Sequence, residues 1–408
     1  MFVTHLQSAL DGTRFEAGRV HTTHQGRPLW VRYDLAAIRR SLRREDLAGR
    51  PPTLWRYREL LPLPVDAEPV TLGEGMTPLL ACDRLAARFG LKRLWIKDES
   101  QMPTGSFKAR GMAMAVSMAR HFGLRRLAVP SAGNAGGALA AYAARAGLEA
   151  FLFMPADTPR INIQEALLAG ARVFLVDGVI TDCGRIVREG VDQVGWFDLS
   201  TLREPYRLEG KKTMGLELAE QFAWSLPDVI LYPTGGGTGL VGMVKAFEEL
   251  RELGWLPGDK LPRMVVCQSD GCCPLVLAFQ RGERFAEPFP NPKTEASGLR
   301  VPSAVGDFMI LDAVRRTNGL AVAGREDTIR RWMREVAAAE GILICPETAI
   351  CFDALVQLRE AGHLTGHETV VVFNTGAAQK YVELLPEVSL PVLRPGAVDY
   401  EALLKVAA

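Results

Sequence analysis

Four stretches of the chain carry residues whose types and spacing can do chemistry, and the first is centred on Lys108. In ESQMPTGSFKARG, residues 99–111, this lysine follows a Pro-Thr-Gly turn and precedes a small-residue run from Ala109 to Ala119. That setting puts its amine at the start of a helix, inside a cleft. Burial disfavours the ammonium form and lowers the pKa, and a neutral amine can attack a carbonyl and hold it as a Schiff base. On this window alone, a surface lysine after a turn is the competing reading. The second stretch, PSAGNAGG, makes a sharp turn of Ser131, Ala132, Gly133, Asn134 and Ala135 that aims backbone N–H groups at a carboxylate or phosphate. Asn134 adds an amide that can serve a phenolate-type oxygen, although plain helix capping explains the same residues. In the third, PTGGGTGL, the amides of Gly235, Gly236 and Gly237 can converge on one phosphate, with the Thr238 hydroxyl beside them. Residues 237–242 also match G-x-G-x-x-G, yet three adjacent glycines make a cup suited to a phosphomonoester, and no acidic residue closes the following strand as a dinucleotide site requires. The fourth, FNTGAA, offers the hydroxyl of Thr375.

These groups need elements that bring them to one crevice. From residue 120 the pattern alternates strand and helix, the mark of parallel sheets covered by helices. Strands are expected at 94–97, 126–130, 150–154, 172–176, 229–233, 264–268, 320–323 and 369–374. Helices are expected at 83–89, 136–145, 161–168, 182–194, 214–223, 240–250, 274–281, 305–316, 327–340 and 350–360, with a loop over 200–212. The fold class is therefore α/β, with two open, mostly parallel sheets and a small N-terminal arm. The expected division is an arm over 1–50, a large domain over 51–119 and 213–408, and a small α/β domain over 120–212. Open parallel sheets deliver their strand carboxyl ends to one crevice. A buried amine, a phosphate cup, an amide and a hydroxyl gathered there suit an aldehyde with one phosphate, a phenol oxygen and a pyridine nitrogen, which is pyridoxal phosphate.

Composition narrows the partners. Forty-eight Lys and Arg nearly cancel 47 Asp and Glu, so no field steers the chain to nucleic acid or an anionic membrane, and small molecules or copies of itself are expected, with a homodimer as the assembly. Seven cysteines with no C-x-x-C pair argue against a disulfide framework and a thiolate zinc site. The N-terminal residues lack the order of a signal peptide and no run is long enough for a membrane helix, which reads as a cytoplasmic protein. His21 and His24 lack thiolate or carboxylate company, so no metal is expected.

Taken in order, ESQMPTGSFKARG, PSAGNAGGALAAYAARAG, EPYRLEGKKT, PTGGGTGL and FNTGAAQKY resemble the signature regions of the threonine synthase branch of fold-type II pyridoxal phosphate enzymes, and LGEGMTPL is similar to that family's entry motif. The likeness covers roughly residues 70–380. It implies that Lys108 carries the cofactor and then serves as general base at Cα, that Asn134 contacts the phenolic oxygen, and that Gly235, Gly236, Gly237 and Thr238 cradle the phosphate. It further implies that Thr375 faces the pyridine nitrogen and that Ser131, Ala132, Gly133 and Ala135 take the substrate carboxylate. The arm resembles the family's zinc ribbon with Ser8, Asp11, Thr22 and Gln25 in the thiolate positions.

Two departures bear on the substrate. Ala132 and Ala135 replace hydroxyl-bearing residues of the family pattern, and Thr201-Leu202-Arg203-Glu204 stands where an Asn-Ser-x-Asn run holds substrate phosphate. Arg203, Arg207, Lys211 and Lys212 would then have to hold a phosphate, with Glu204 turned away. The leading expectation is conversion of O-phosphohomoserine and water to threonine and phosphate. The alternative is a β-eliminating ammonia-lyase or dehydratase of the serine, threonine or diaminopropionate type.

Overall fold

The computed structural model describes residues 2–385, 392–396 and 403. The arm is a three-stranded antiparallel sheet of β1 (Val3–Ser8), β2 (Arg14–Glu16) and β3 (Leu29–Tyr33) in the order β2-β1-β3, followed by helix α1 (Leu35–Ser41). Alternation along β1 and β3 turns Leu6, Leu29 and Val31 inward, where they join a core that includes Trp55 and Met118 of the body. Asp34 caps α1 by accepting the Ala37 N–H at 2.8 Å.

The body opens with β4 (Leu79–Ala81), α2 (Asp83–Arg88), β5 (Arg93–Asp98) and α3 (Lys108–His121). It continues through β6 (Arg126–Pro130), α4 (Asn134–Ala146), β7 (Glu149–Pro155), α5 (Arg160–Leu168), β8 (Arg172–Val176), α6 (Ile180–Val194) and β9 (Phe197–Asp198). These last four strands form an all-parallel sheet in the order β8-β7-β6-β9. Next come α7 (Tyr206–Gln221), β10 (Val229–Pro233), α8 (Thr238–Glu252), β11 (Arg263–Ser269) and α9 (Pro274–Gln280). The rest of the body is α10 (Asp307–Arg316), β12 (Leu320–Gly324), α11 (Ile329–Glu340), α12 (Pro346–Glu360) and β13 (Thr369–Asn374). The second sheet runs β12-β11-β10-β13-β5-β4, with β4 alone antiparallel. Every residue of β10 is buried, as a strand covered on both faces requires.

Strand order fixes where a ligand can sit. In the small sheet the chain steps from β6 outward through β7 to β8 and returns to the other side as β9. In the large sheet it steps from β10 through β11 to β12 and returns as β13. Each reversal leaves a crevice at the strand carboxyl ends. The Ser131 turn follows β6, the glycine cup follows β10 and Thr375 follows β13.

The expected strands and helices are present with ends shifted by a few residues, except that α7 begins at Tyr206 where a loop was expected up to residue 212 and a helix only from 214. Glu209, Lys211 and Lys212 look like a solvated loop in the sequence, yet all three are buried. The boundary expected at residue 212 thus falls inside α7. The expected strands include none of the three in the arm, and in the body they omit β4 and β9, which at three and two residues carry too little alternation to stand out. Among the described residues, no helix is long and apolar enough to cross a membrane, no group of three His, Cys, Asp or Glu side chains comes together, and all seven cysteines are free and buried.

Candidate active site

Lys108 is the first residue of α3, and the turn before it is tied to the end of β13. Ala377 N–H donates to the Gly105 carbonyl at 2.8 Å and Phe107 N–H to that of Thr375 at 3.2 Å. The turn needs a left-handed residue twice, at Thr104 (φ 64°) and Gly105 (φ 62°). Burial first, and then the Arg207 guanidinium, lower the Lys108 pKa to about 8, against the opposing pull of Glu347 and Cys345. The ammonium nitrogen sits 4.0 Å from the centroid of the Phe107 ring.

The glycine cup joins β10 to α8, and its glycines are demanded by contact. A Cβ on Gly235 would lie 2.5 Å from the Gly298 carbonyl oxygen, and one on Gly236 2.7 Å from Thr201 Cγ2. On Gly237 (φ 71°) it would lie 2.1 Å from Ile310 Cδ1. Thr238 begins α8, and its Oγ1 accepts a hydrogen bond from Lys211 Nζ at 2.9 Å. Lys211 has no carboxylate partner among the described residues, and burial, Arg207 and Lys108 together drive its pKa well down. An anion bound beside this helix N-terminus would favour the charged form of the Lys211 amine.

The Ser131 turn leads into α4, with Gly133 at φ 152°. The Ser131 hydroxyl is used inside the turn, donating to the Gly133 carbonyl at 2.8 Å and accepting the N–H groups of Gly133 and Gly136 at 3.1 and 2.9 Å. Asn134 Nδ2 donates to Tyr381 Oη at 3.3 Å, and its Oδ1 is buried with no partner among the described residues. Thr375 lies 5 % exposed at the end of β13, with Oγ1 3.7 Å from Cys345 Sγ.

Lys108, Ser131, Ala132, Gly133, Asn134, Ala135, Gly235, Gly236, Gly237, Thr238 and Thr375 all line a single cleft of about 390 Å³. Arg207 does not. It is buried behind the cleft, its Nη1 donating to the Leu199 carbonyl, and it reaches the site through its charge on Lys108 and Lys211. Lys212 is likewise sequestered, ion-paired with Glu209 at 2.7 Å and Glu249 at 2.9 Å. Glu204 turns away from the cleft and caps α7, accepting the Tyr206 and Arg207 N–H groups at 2.6 and 3.0 Å. Burial raises its pKa to about 7 despite Arg207. Sequence reasoning missed Glu347, Tyr381 and Arg188, which line the cleft. Tyr381 closes the FNTGAAQKY stretch and was within reach; Glu347 in CPET reads as an ordinary acidic residue in a first helical turn.

The buried donor and acceptor set fits pyridoxal phosphate, with a cup that side chains would fill, the Lys211 amine without a carboxylate partner, the Asn134 Nδ2 donor and the Lys108 amine of lowered pKa. Residues 70–376 match the family model described as pyridoxal-phosphate dependent enzyme. The chain belongs to this family. Within it, the chain falls in the threonine-synthase-like branch and takes pyridoxal phosphate as cofactor. It is 37 % identical over 347 residues to the threonine synthase of Methanosarcina acetivorans, covering 85 % of this chain and 84 % of that protein. It is 33 % identical over 362 residues to that of Methanocaldococcus jannaschii, covering 88 % and 89 %. Among solved structures, diaminopropionate ammonia lyase from Escherichia coli superposes with a TM-score of 0.66 at 20 % identity, over 77 % of this chain and 88 % of that one. Maize serine racemase gives a TM-score of 0.65 at 20 % identity over 81 % and 91 %. At that identity the two structures speak for the shared fold.

Proposed function

We propose that this enzyme β-eliminates a small amino acid carrying a leaving group at Cβ, and releases ammonia and a keto acid. The observation that carries this reading is that, of the four basic residues the sequence offers for a substrate phosphate, Arg203, Arg207, Lys211 and Lys212, only Arg203 lines the cleft. Ala132 and Ala135 offer no side-chain donors, Glu204 caps α7, Arg207 lies outside the lining and Lys212 is paired elsewhere. A phosphate dianion in a partly desolvated cleft needs several charge-assisted hydrogen bonds, each worth about 1.5–3 kcal/mol.

Pyridoxal phosphate, when bound, supplies the electron sink that lets the Cα–H bond break heterolytically. Lys108 would hold it through Nζ; the amides of Gly235 to Gly237, Thr238 Oγ1 and Lys211 would hold its phosphate. Asn134 would serve the phenolic oxygen, and Thr375 would offer the ring nitrogen a neutral hydroxyl. The N-terminal amides of α4 orient the substrate carboxylate. Lys108 Nζ would take the Cα proton. The protein is further read as a cytoplasmic homodimer.

A second reading, the threonine synthase reaction on O-phosphohomoserine, draws on the curated relatives and on Arg188 and Arg203. Both line the cleft without a carboxylate partner among the described residues, and burial and the Arg188 charge lower the Arg203 pKa. Keto-acid and ammonia release from L-serine, L-threonine and L-2,3-diaminopropionate, assayed beside phosphate release from O-phosphohomoserine, separates the two. Turnover of the first group is expected. Threonine and phosphate formation without keto acid would overturn the elimination reading.

A further inference from the structure

Glu347 is the only carboxylate among the described residues that line the cleft, and half of it is committed. Its Oε1 accepts the Gly298 N–H at 2.8 Å and the Tyr381 hydroxyl at 2.7 Å. A Cβ on Gly298 would lie 2.7 Å from that oxygen, so the glycine is what lets the carboxylate in. The other oxygen, Oε2, is buried with no hydrogen-bond partner among the described residues, in a side chain that is 5 % exposed overall. Native structures rarely leave a buried carboxylate oxygen bare unless something that binds there completes it. The nearby groups offer it little: the Cys345 thiol beside Glu347 is a weak donor that it shares with Thr348 Oγ1 at 3.2 Å, and Lys108, which feels the Glu347 charge, makes no hydrogen bond to it.

Resting on the elimination reading, we propose that Glu347 Oε2 binds the β-substituent of the substrate and so selects one that donates a hydrogen bond, an ammonium or a hydroxyl, over a phosphate ester. A β-ammonium offers three donors and the complementary charge. A phosphate ester offers almost only acceptors and close to two negative charges, which a fixed carboxylate repels. The chemistry balances. Lys108 Nζ takes the Cα proton, and the electron pair left behind becomes the Cα=Cβ bond. The Cβ–N bond breaks with its pair on nitrogen, so an ammonium leaves as neutral ammonia. A hydroxyl leaves as water by taking up the proton that Lys108 received.

The test is Glu347→Gln in the holoenzyme, which keeps an acceptor for Gly298 and Tyr381 and removes the charge. The ratio of kcat/KM for L-2,3-diaminopropionate to that for O-phospho-L-serine should fall about 10- to 100-fold, the loss of one charge-assisted hydrogen bond. The dissociation constants of the two compounds, from stopped-flow titration of cofactor absorbance before turnover, should shift in the same direction while the resting cofactor spectrum is unchanged. An equal loss for both compounds, or an unchanged ratio of dissociation constants, would overturn the proposal and leave Glu347 a support for Tyr381. If wild-type enzyme turns over no β-substituted amino acid, the elimination reading fails by itself, and the binding ratio still decides the role of Glu347.

Discussion

At the scale of single residues, the Lys108 amine gives the most direct test. Its pKa is lowered to about 8, so in the apoprotein a large part of it is neutral at pH values where an ordinary lysine is almost wholly charged. Reconstitution of apoprotein with pyridoxal phosphate requires that neutral amine. Its rate should rise with pH and level off above a midpoint near 8, and should be abolished in Lys108→Ala; a rate still climbing steeply at pH 10 would mean an unperturbed lysine. That Lys108, Asn134 and Thr375 come together at one cleft was legible in the sequence, because each sits in a short motif whose glycines and small residues announce a turn. Arg207 was misread because its motif says nothing of which way a long side chain runs. Glu347 was invisible because an acid after Pro346 is what any helix start favours.

At the scale of elements, the site rests on the packing of α3 against α7, and that contact is made by glycines and buried ions. A Cβ on Gly210 would lie 2.1 Å from the Arg110 carbonyl oxygen, and one on Gly111 3.0 Å from that of Arg207. Beneath Lys108, the fully buried Arg110 holds Glu99 Oε2 at 2.6 Å and Glu217 Oε2 at 2.7 Å, while Lys97 Nζ lies 3.2 Å from Glu217 Oε2. The sequence showed the charges of Glu209, Lys211 and Lys212 in EPYRLEGKKT but not that they are buried, which is why α7 was started about two turns late. Arg110→Ala strands two buried carboxylates and should cost about 3–5 kcal/mol of unfolding free energy by denaturant titration. The sign of the acid response follows from Glu217. Burial works to raise its pKa, but Arg110 and Lys97 override that and hold it at about 2, below the usual 4.5. Its contribution is full above about pH 4.5 and is lost as pH falls toward 2, so the stability gap between wild type and Arg110→Ala should narrow across that window.

At the scale of the molecule, two sheets meet at one cleft while the arm lies across the body. The two sheets were readable from the alternation of strand and helix; the reason the arm stays in place was not, since it lies in contacts far apart in sequence. Tyr33 at the end of β3 donates to Glu209 Oε2 at 2.7 Å, and the ammonium groups of Lys212 and Lys245 lie 4.1 and 4.7 Å from the centre of its ring. Arg27 donates to the Val305 carbonyl at 3.2 Å and to Asp307 Oδ1 at 3.3 Å. The positions that correspond to ribbon thiolates do other work: Ser8 Oγ and Asp11 Oδ1 accept backbone N–H groups of their own turn. The arm is therefore expected to be held by the body and not by an ion. A chelator should leave the unfolding midpoint of the holoenzyme unchanged and elemental analysis should find no stoichiometric zinc. Tyr33→Phe, which removes one donor from a buried carboxylate shared by two lysines, should lower stability by about 1–3 kcal/mol. A chelator-induced drop in the midpoint with no effect of Tyr33→Phe would mean that an ion, not the Tyr33 contact, fastens the arm.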